Sequence, residues 1–173
     1  MKKTLSIIIA IVTLIACATN AFAEQKTVLS TTVPGASYTL SIPADQQITF
    51  GATTTNIGDV KVTESSNFAL GKNLSVTITH DDFSSKDTST TIPYKIYAQT
   101  AGNHDGPEIK SGDSIVFLGK SDGTLNEHVL HFETFYFSRY EVVIDSVDWG
   151  KALAGDYSST ITFTAEVVVA DDK

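Results

Sequence analysis

The chain has 173 residues, with 12 Lys and Arg against 20 Asp and Glu, so its formal charge at pH 7 is −8. This acidic balance argues against nucleic acid and against anionic membranes as partners, because affinity for phosphates comes from clustered Lys and Arg, and Arg139 is the only arginine. Cys17 is the only cysteine, which excludes an intrachain disulfide framework and a cysteine-based zinc site.

The N-terminus has the pattern of a secretory leader. Lys2 and Lys3 precede a mostly apolar run that ends at Cys17, and Ala21-Phe22-Ala23 provides a small-residue cleavage site. We therefore predict a signal peptide over residues 1–23 and a secreted, periplasmic or cell-surface protein over 24–173. The leader holds two of the basic and none of the acidic side chains, so the mature chain would carry −10. The alternative is lipidation at Cys17, within the lipobox-like Leu14–Cys17, which would attach the protein to a membrane.

After the leader, apolar residues recur with period two rather than with a helical period, which indicates strands. The strand-like segments in chain order are 38–42, 60–62, 74–78, 92–96, 114–118, 127–137, 140–144 and 157–169. Gly, Asn, Asp and Pro clusters separate them, as expected of turns. Many short strands with one polar face predict an all-β fold. We expect a two-sheet antiparallel sandwich of the immunoglobulin or fibronectin-III type, forming one domain over 24–173, with a closed barrel as the alternative.

The segment 157–169 is the longest regular stretch, and as one strand it would exceed the usual strand length of about 5–6 residues. One explanation is exchange of this strand between two copies, which makes its apolar face the candidate exchange surface in a homodimer. That face comprises Tyr157, Ile161, Phe163, Ala165, Val167 and Val169, and the exchange candidates are these residues without Ala165. The other explanation is a strand shared by both sheets of one domain, with a bend or bulge midway.

The segment 131–140 concentrates aromatic side chains on both faces of a predicted strand. One face belongs to the core, and the other is either covered by a loop or exposed as a contact surface. Aromatic residues beside an arginine are typical of protein-binding hot spots. The predicted partner or dimer surface consists of Phe135, Tyr136, Phe137, Arg139 and Tyr140.

No catalytic motif is present in the sequence. His128 and His131 would point to opposite faces of a strand and could not share one metal without a bulge. His80 and His104 each precede aspartates in polar segments, and no nucleophile–base pattern accompanies them. We therefore predict no enzyme activity, no catalytic or metal residues and no cofactor. The alternative is a cleft that gathers His80 or His104 with carboxylates.

Trp149-Gly150, followed by Ala154–Tyr157 opening an alternating segment, resembles the closing strand of exported bacterial sandwich proteins. In its size, leader, cysteine-free body and strand pattern, the chain resembles small secreted enterobacterial proteins with a fibronectin-III-like fold, which include interleukin receptor mimics. The resemblance implies a virulence-associated binding protein that forms a strand-exchanged dimer and engages a host cytokine or receptor. The alternative is a structural subunit of a fimbria or surface fibre. Against that alternative stand the missing cysteine pair and the polar end Asp171-Asp172-Lys173.

Overall fold

The computed structural model describes residues 29–100, 106–127, 129–131 and 135–170. The chain divides into two units, Met1–Thr32 and Val33–Lys173, and the fold described below is that of the second. The predicted signal peptide, its cleavage site and Cys17 lie outside the described residues. Among the described residues, no helix has the length and apolar character needed to cross a bilayer.

The described residues of the second unit form thirteen strands, all paired antiparallel, and one short helix, which confirms the all-β prediction. The strands are β1 Ser37–Ser41, β2 Thr54–Asp59, β3 Lys61–Ser66, β4 Lys72–His80, β5 Phe83–Ser85, β6 Thr91–Ile92, β7 Lys95–Thr100, β8 Glu108–Ile109, β9 Ser114–Phe117, β10 Val129–His131, β11 Phe135–Val143, β12 Tyr157–Ser158 and β13 Ile161–Val169. A short helix, Ser146–Trp149, follows β11.

Within the described residues these strands form four sheets, and none of them closes into a barrel. One sheet has the order β10-β11-β7-β8, with β2 also paired to β11. The others have the orders β1-β3, β12-β5-β6 and β13-β4-β9. The outer side of β3 is covered by the turn region that follows β9, since the Val62 N–H donates to the Glu127 carbonyl at 3.2 Å.

The core is formed by the apolar residues of each alternating strand. In β4, Leu74, Val76 and Ile78 are buried, whereas the intervening Ser75 and Thr77 are only partly covered. Burying each such side chain stabilises the fold by about 1.5–3 kcal/mol. The same alternation brings in buried residues from β2, β7, β9 and β11, among them Ile57, Ile96, Ala98, Ile115, Phe117 and Val142.

The prediction of one continuous 13-residue strand over 157–169 is wrong, because the segment forms two separate strands, β12 and β13. The chain leaves strand geometry at Ser159 and Thr160, so that β12 pairs with β5 while β13 pairs with β4. The Ser159 hydroxyl donates to the Asp81 carbonyl at 2.6 Å and lies 2.9 Å from the Tyr94 hydroxyl. These bonds hold the break in place, and the two parts of the segment pair with strands of different sheets.

An irregular segment, residues 42–53, connects β1 to β2 and is called the strap below. The strap is joined to the helix Ser146–Trp149 by the indole Nε1–H of Trp149, which donates to the Ala52 carbonyl at 2.8 Å. Phe50 packs edge-on against the Trp149 ring, with centroids 5.3 Å apart. Asp145 caps the helix by accepting from the Val147 N–H at 2.8 Å. The strap and the helix therefore form one wall at this end of the unit.

Candidate functional site

The last strand, β13, runs along the edge of its sheet. Among the described residues its only ladder partner is β4, which lies on one side of it. The two strands stay in register from Ile161 opposite His80 to Val169 opposite Lys72, without a bulge. One long side of β13 is therefore free of backbone pairing within the described part of the chain.

The pairing shows which residues of β13 turn their backbone towards that free side. The Ile78 N–H donates to the Asp113 carbonyl at 2.9 Å, and the Ile78 carbonyl accepts from the Gly112 N–H at 2.8 Å, both away from β13. Ile78 and the residue opposite it, Phe163, are thus a non-hydrogen-bonded pair, in which both backbones point outward. The next residue after β13 has the opposite orientation, as expected, because the Ala170 N–H donates to the Gly71 carbonyl at 2.7 Å.

Since this orientation alternates with period two, every second residue of β13 presents its N–H and C=O to the free edge. These residues are Ile161, Phe163, Ala165, Val167 and Val169. Four of them belong to the predicted exchange surface, and the structure adds Ala165. Tyr157, the fifth residue of that prediction, lies in β12 and pairs with Ser85.

The free edge lacks the features with which proteins usually block unpaired strands. Lysine, proline, bulges and very short length are the common protections against pairing with other chains. The sequence of β13, ITFTAEVVV, contains neither lysine nor proline, and its only charged residue is Glu166. Val167 and Val169 are 44% and 66% exposed, so apolar side chains accompany the backbone groups on the second half of this edge.

A crevice lies between the start of β13 and the strap. It has a volume of about 300 Å³ and lies over the buried Ile57 and Val142. Its walls are lined by Ile42, Ile48, Phe83, Tyr94, Ile161 and Phe163. The packing of Ile161 and Phe163 against the core is therefore incomplete on the side that faces the strap.

A larger pocket of about 810 Å³ continues from the crevice, and it is called the end pocket below. The two cavities share five lining residues, which are Asp45, Gln46, Ile48, Phe83 and Ser159. The remaining wall of the end pocket includes Phe50, Trp149, Leu153, Asp156 and Tyr157.

Tyr157 is fixed in this wall by its hydroxyl group. The hydroxyl lies 3.2 Å from the Thr88 hydroxyl and 2.5 Å from that of Thr90, and it donates to the Leu153 carbonyl at 3.1 Å. The hydrogen bond with Thr88, followed by that with Thr90, lowers the pKa of Tyr157. Because its bonding capacity is used within the wall, Tyr157 contributes ring surface rather than a free hydroxyl.

The predicted aromatic contact surface is only partly within the described region. The structure places the backbone of β11 at Phe135, Tyr136 and Phe137 but does not describe the side chains of these residues. The Arg139 side chain is exposed, with Nε 4.0 Å from the Asp59 carboxylate. Tyr140 is buried among the core residues, and burial raises its pKa. Its inclusion in a contact surface is therefore wrong, because it lies on the opposite face of β11 from the exposed Arg139.

His80 is a packed ring in this structure. Both ring nitrogens are buried without a hydrogen-bond partner among the described residues, and the ring lies 4.9 Å from that of Tyr94. His104, His128 and the side chain of His131 lie outside the described region. In the described ranges, no group of three or more His, Cys, Asp or Glu side chains is placed to hold a metal ion.

The free edge and the end pocket were not predictable as sites from the sequence. Period-two alternation indicates which side chains share a face, but it does not show on which side a strand is left unpaired. The end pocket joins residues that are far apart in the chain, such as Asp45 and Asp156. No family model matches the chain, and neither the curated proteins nor the solved structures compared with it contain a match.

Proposed function

We propose that this chain is a secreted, non-enzymatic protein-binding module with an immunoglobulin- or fibronectin-III-like sandwich, and that it engages a host protein such as a cytokine or receptor. The partner contributes an extended segment that pairs with the free edge of β13. The observation that supports this proposal is the unblocked run of outward backbone groups from Ile161 to Val169. Addition of a strand to an exposed sheet edge is a recurring mode of peptide recognition.

The energetics of the edge are compatible with specific binding. Five residues present an N–H and a C=O to the free side, and each hydrogen bond formed there contributes about 0.5–1.5 kcal/mol net. Covering the exposed parts of Val167 and Val169 adds a hydrophobic contribution of about 25 cal/mol per Å² of apolar surface. Every second side chain of the incoming segment would point towards the face of the sheet that carries the crevice. The fit of these side chains in the crevice would make binding selective for the partner's sequence.

A second candidate is self-association through the same edge, as a homodimer or as a subunit of a surface fibre. Antiparallel pairing of two β13 strands about Ala165 would place Ile161 opposite Val169 and Phe163 opposite Val167 of the other copy. All outward-facing positions would then be paired, as a closed two-fold interface requires. The β13-β4-β9 sheets of both copies would join into one continuous sheet.

The test is selection of extended peptides from a displayed library with purified residues 24–173, followed by amide hydrogen exchange. We expect the amides of Ile161, Phe163, Ala165, Val167 and Val169 to exchange rapidly in the free protein and slowly in the complex. The amides of the intervening residues, such as Thr162 and Thr164, should be protected in both states because they bond to β4.

The matched variant is Val167→Pro, which removes one outward N–H without removing a bond to β4. Selected peptides should bind this variant about tenfold more weakly, since proline removes one outward hydrogen bond and its ring obstructs the incoming backbone. Failure to select any peptide, or protection that spares the outward amides, would contradict the proposal. Concentration-dependent dimers or polymers in light scattering that Val167→Pro abolishes would favour self-association instead.

A further inference from the structure

The end pocket has carboxylates but no positively charged side chain in its wall. Asp45 and Asp156 line it and are exposed, and neither makes a hydrogen bond or an ion pair with another described residue. Lys, Arg and His are absent from the described residues that line the pocket. The two carboxylates are the only charged side chains among the described residues of this wall, so the wall favours a cationic over an anionic ligand in a chain of net charge −8.

The other part of the wall is aromatic and aliphatic. Phe50 is 77% exposed and Leu153 is 56% exposed. Trp149 uses its only polar group on the Ala52 carbonyl, so what its ring offers a ligand is apolar surface. Such rings attract a Lys or Arg head group through the cation–π interaction, and the alkyl stem of either side chain covers apolar surface while its charge stays in water. The wall thus matches both parts of a long basic side chain.

The position of the pocket indicates how such a side chain would arrive. The crevice along the start of β13 opens into the end pocket, and Ser159 lines both cavities. A segment that pairs antiparallel with β13, running from Val169 to Ile161, would continue past Ser159, which precedes the first residue of β13. The residues just beyond the paired part of that segment are therefore delivered to the pocket.

We propose that the end pocket receives a Lys or Arg side chain that the protein partner carries immediately beyond the segment paired with β13. This inference rests on the proposed function, because it assumes an extended partner segment along that edge. It adds the chemistry of the partner: an extended, apolar segment that ends in a basic residue.

Trp149 is the only tryptophan in the chain, so its fluorescence reports on the pocket directly. The probes are Nα-acetyl-arginine N-methylamide and its lysine and glutamine counterparts. Maltose is added as an uncharged control that can stack on aromatic rings. We expect saturable changes in emission with the arginine and lysine probes only. The double variant Asp45→Asn/Asp156→Asn should weaken arginine binding about fivefold or more, since each carboxylate contributes a partly exposed ion pair.

The control variant Asp59→Asn/Glu64→Gln changes the net charge equally at positions outside the pocket wall, and it should leave arginine binding unchanged. The inference is overturned if neither basic probe binds, if the glutamine counterpart or maltose binds equally well, or if the pocket variant behaves like the control. Failure here is distinguishable from failure of strand addition. Val167→Pro leaves the pocket intact and should retain arginine binding, and peptide protection of the β13 amides does not depend on Asp45 or Asp156.

Discussion

Proline substitutions at two neighbouring residues of β13 test whether one edge of this strand is free. Glu166 lies opposite Ser75 in a pair that exchanges backbone hydrogen bonds, whereas Val167 lies opposite Leu74 in a pair whose backbones point outward. Both positions are exposed. Proline lacks the N–H and is tolerated on an edge strand only where that N–H would face solvent. The two substitutions therefore differ mainly in whether they remove a bond to β4.

The magnitudes follow from the pairing. Glu166→Pro deletes the bond to the Ser75 carbonyl and leaves that half-buried carbonyl without its donor, which costs about 1–3 kcal/mol. Val167→Pro removes no hydrogen bond among the described residues, and the proline ring retains part of the apolar surface of a side chain that is already 44% exposed. We expect Glu166→Pro to be less stable by about 2 kcal/mol, which corresponds to a Tm lower by about 4–8 °C for a chain of this size.

The assay is chemical and thermal unfolding of residues 24–173, with Glu166→Ala and Val167→Ala measured in parallel so that the loss of each side chain can be subtracted. The unfolding slope m must be the same for all variants, because a changed slope signals a changed unfolded or native state. Equal destabilisation by the two prolines, or a larger effect of Val167→Pro, would mean that the outward side of β13 is paired or packed, and the edge could not then bind a partner.

Three further substitutions test other parts of the structure. Tyr140→Phe should raise the free energy of unfolding by about 1 kcal/mol, because the hydroxyl is buried and has no hydrogen-bond partner among the described residues. Burial also raises the pKa of Tyr140, so above the unfolded pKa of about 10 ionisation favours the unfolded chain, and stability falls as pH rises towards the raised pKa of the folded state. This alkaline loss of stability should be smaller in the variant. Gly119→Ala should lower stability by about 1–3 kcal/mol in urea unfolding, because an added Cβ would lie 2.1 Å from the Lys72 carbonyl oxygen. Asp122→Asn should flatten the loss of stability in acid, since hydrogen bonds from Thr124 lower the pKa of Asp122 and its contribution disappears as pH falls through that lowered value.

Local pattern predicted only part of the elements of this fold, because β2, β5 and β8 lie outside the predicted strand segments. Alternation in 74–78 and 161–165 identifies the core residues of β4 and the first half of β13, because a half-buried strand has to separate apolar from polar side chains by face. The same rule fails for Val167 and Val169, which continue the apolar face but are exposed. Alternation indicates a shared face, whereas burial depends on what covers that face, and this is set by elements elsewhere in the chain.

Tertiary contacts determine the features that the sequence did not predict. The break at Ser159 depends on the Asp81 carbonyl and the Tyr94 hydroxyl, which are distant in the sequence and carry no local signal. The end pocket depends likewise on the bond between Trp149 and Ala52. Tyr140 was misjudged because an aromatic cluster that occupies both faces of a strand does not show which face is the covered one.

The comparison with the other edge strands favours β13 as the site of the proposed strand addition. Among the described strands, β6, β8 and β12 are two residues long, β10 is three, and β9, the opposite edge of the sheet that contains β13, is four, all too short to offer an extended ladder. The pairing of β1 with β3 shifts at Thr39/Leu40, and that of β2 with β11 shifts at Tyr140/Glu141, and such bulges discourage further pairing. β13 combines nine residues, a regular register and an apolar sequence. An edge of this kind promotes aggregation unless a partner covers it. If strand addition is the function, the other edges should be protected and this one should be left open, which is the arrangement seen among the described strands.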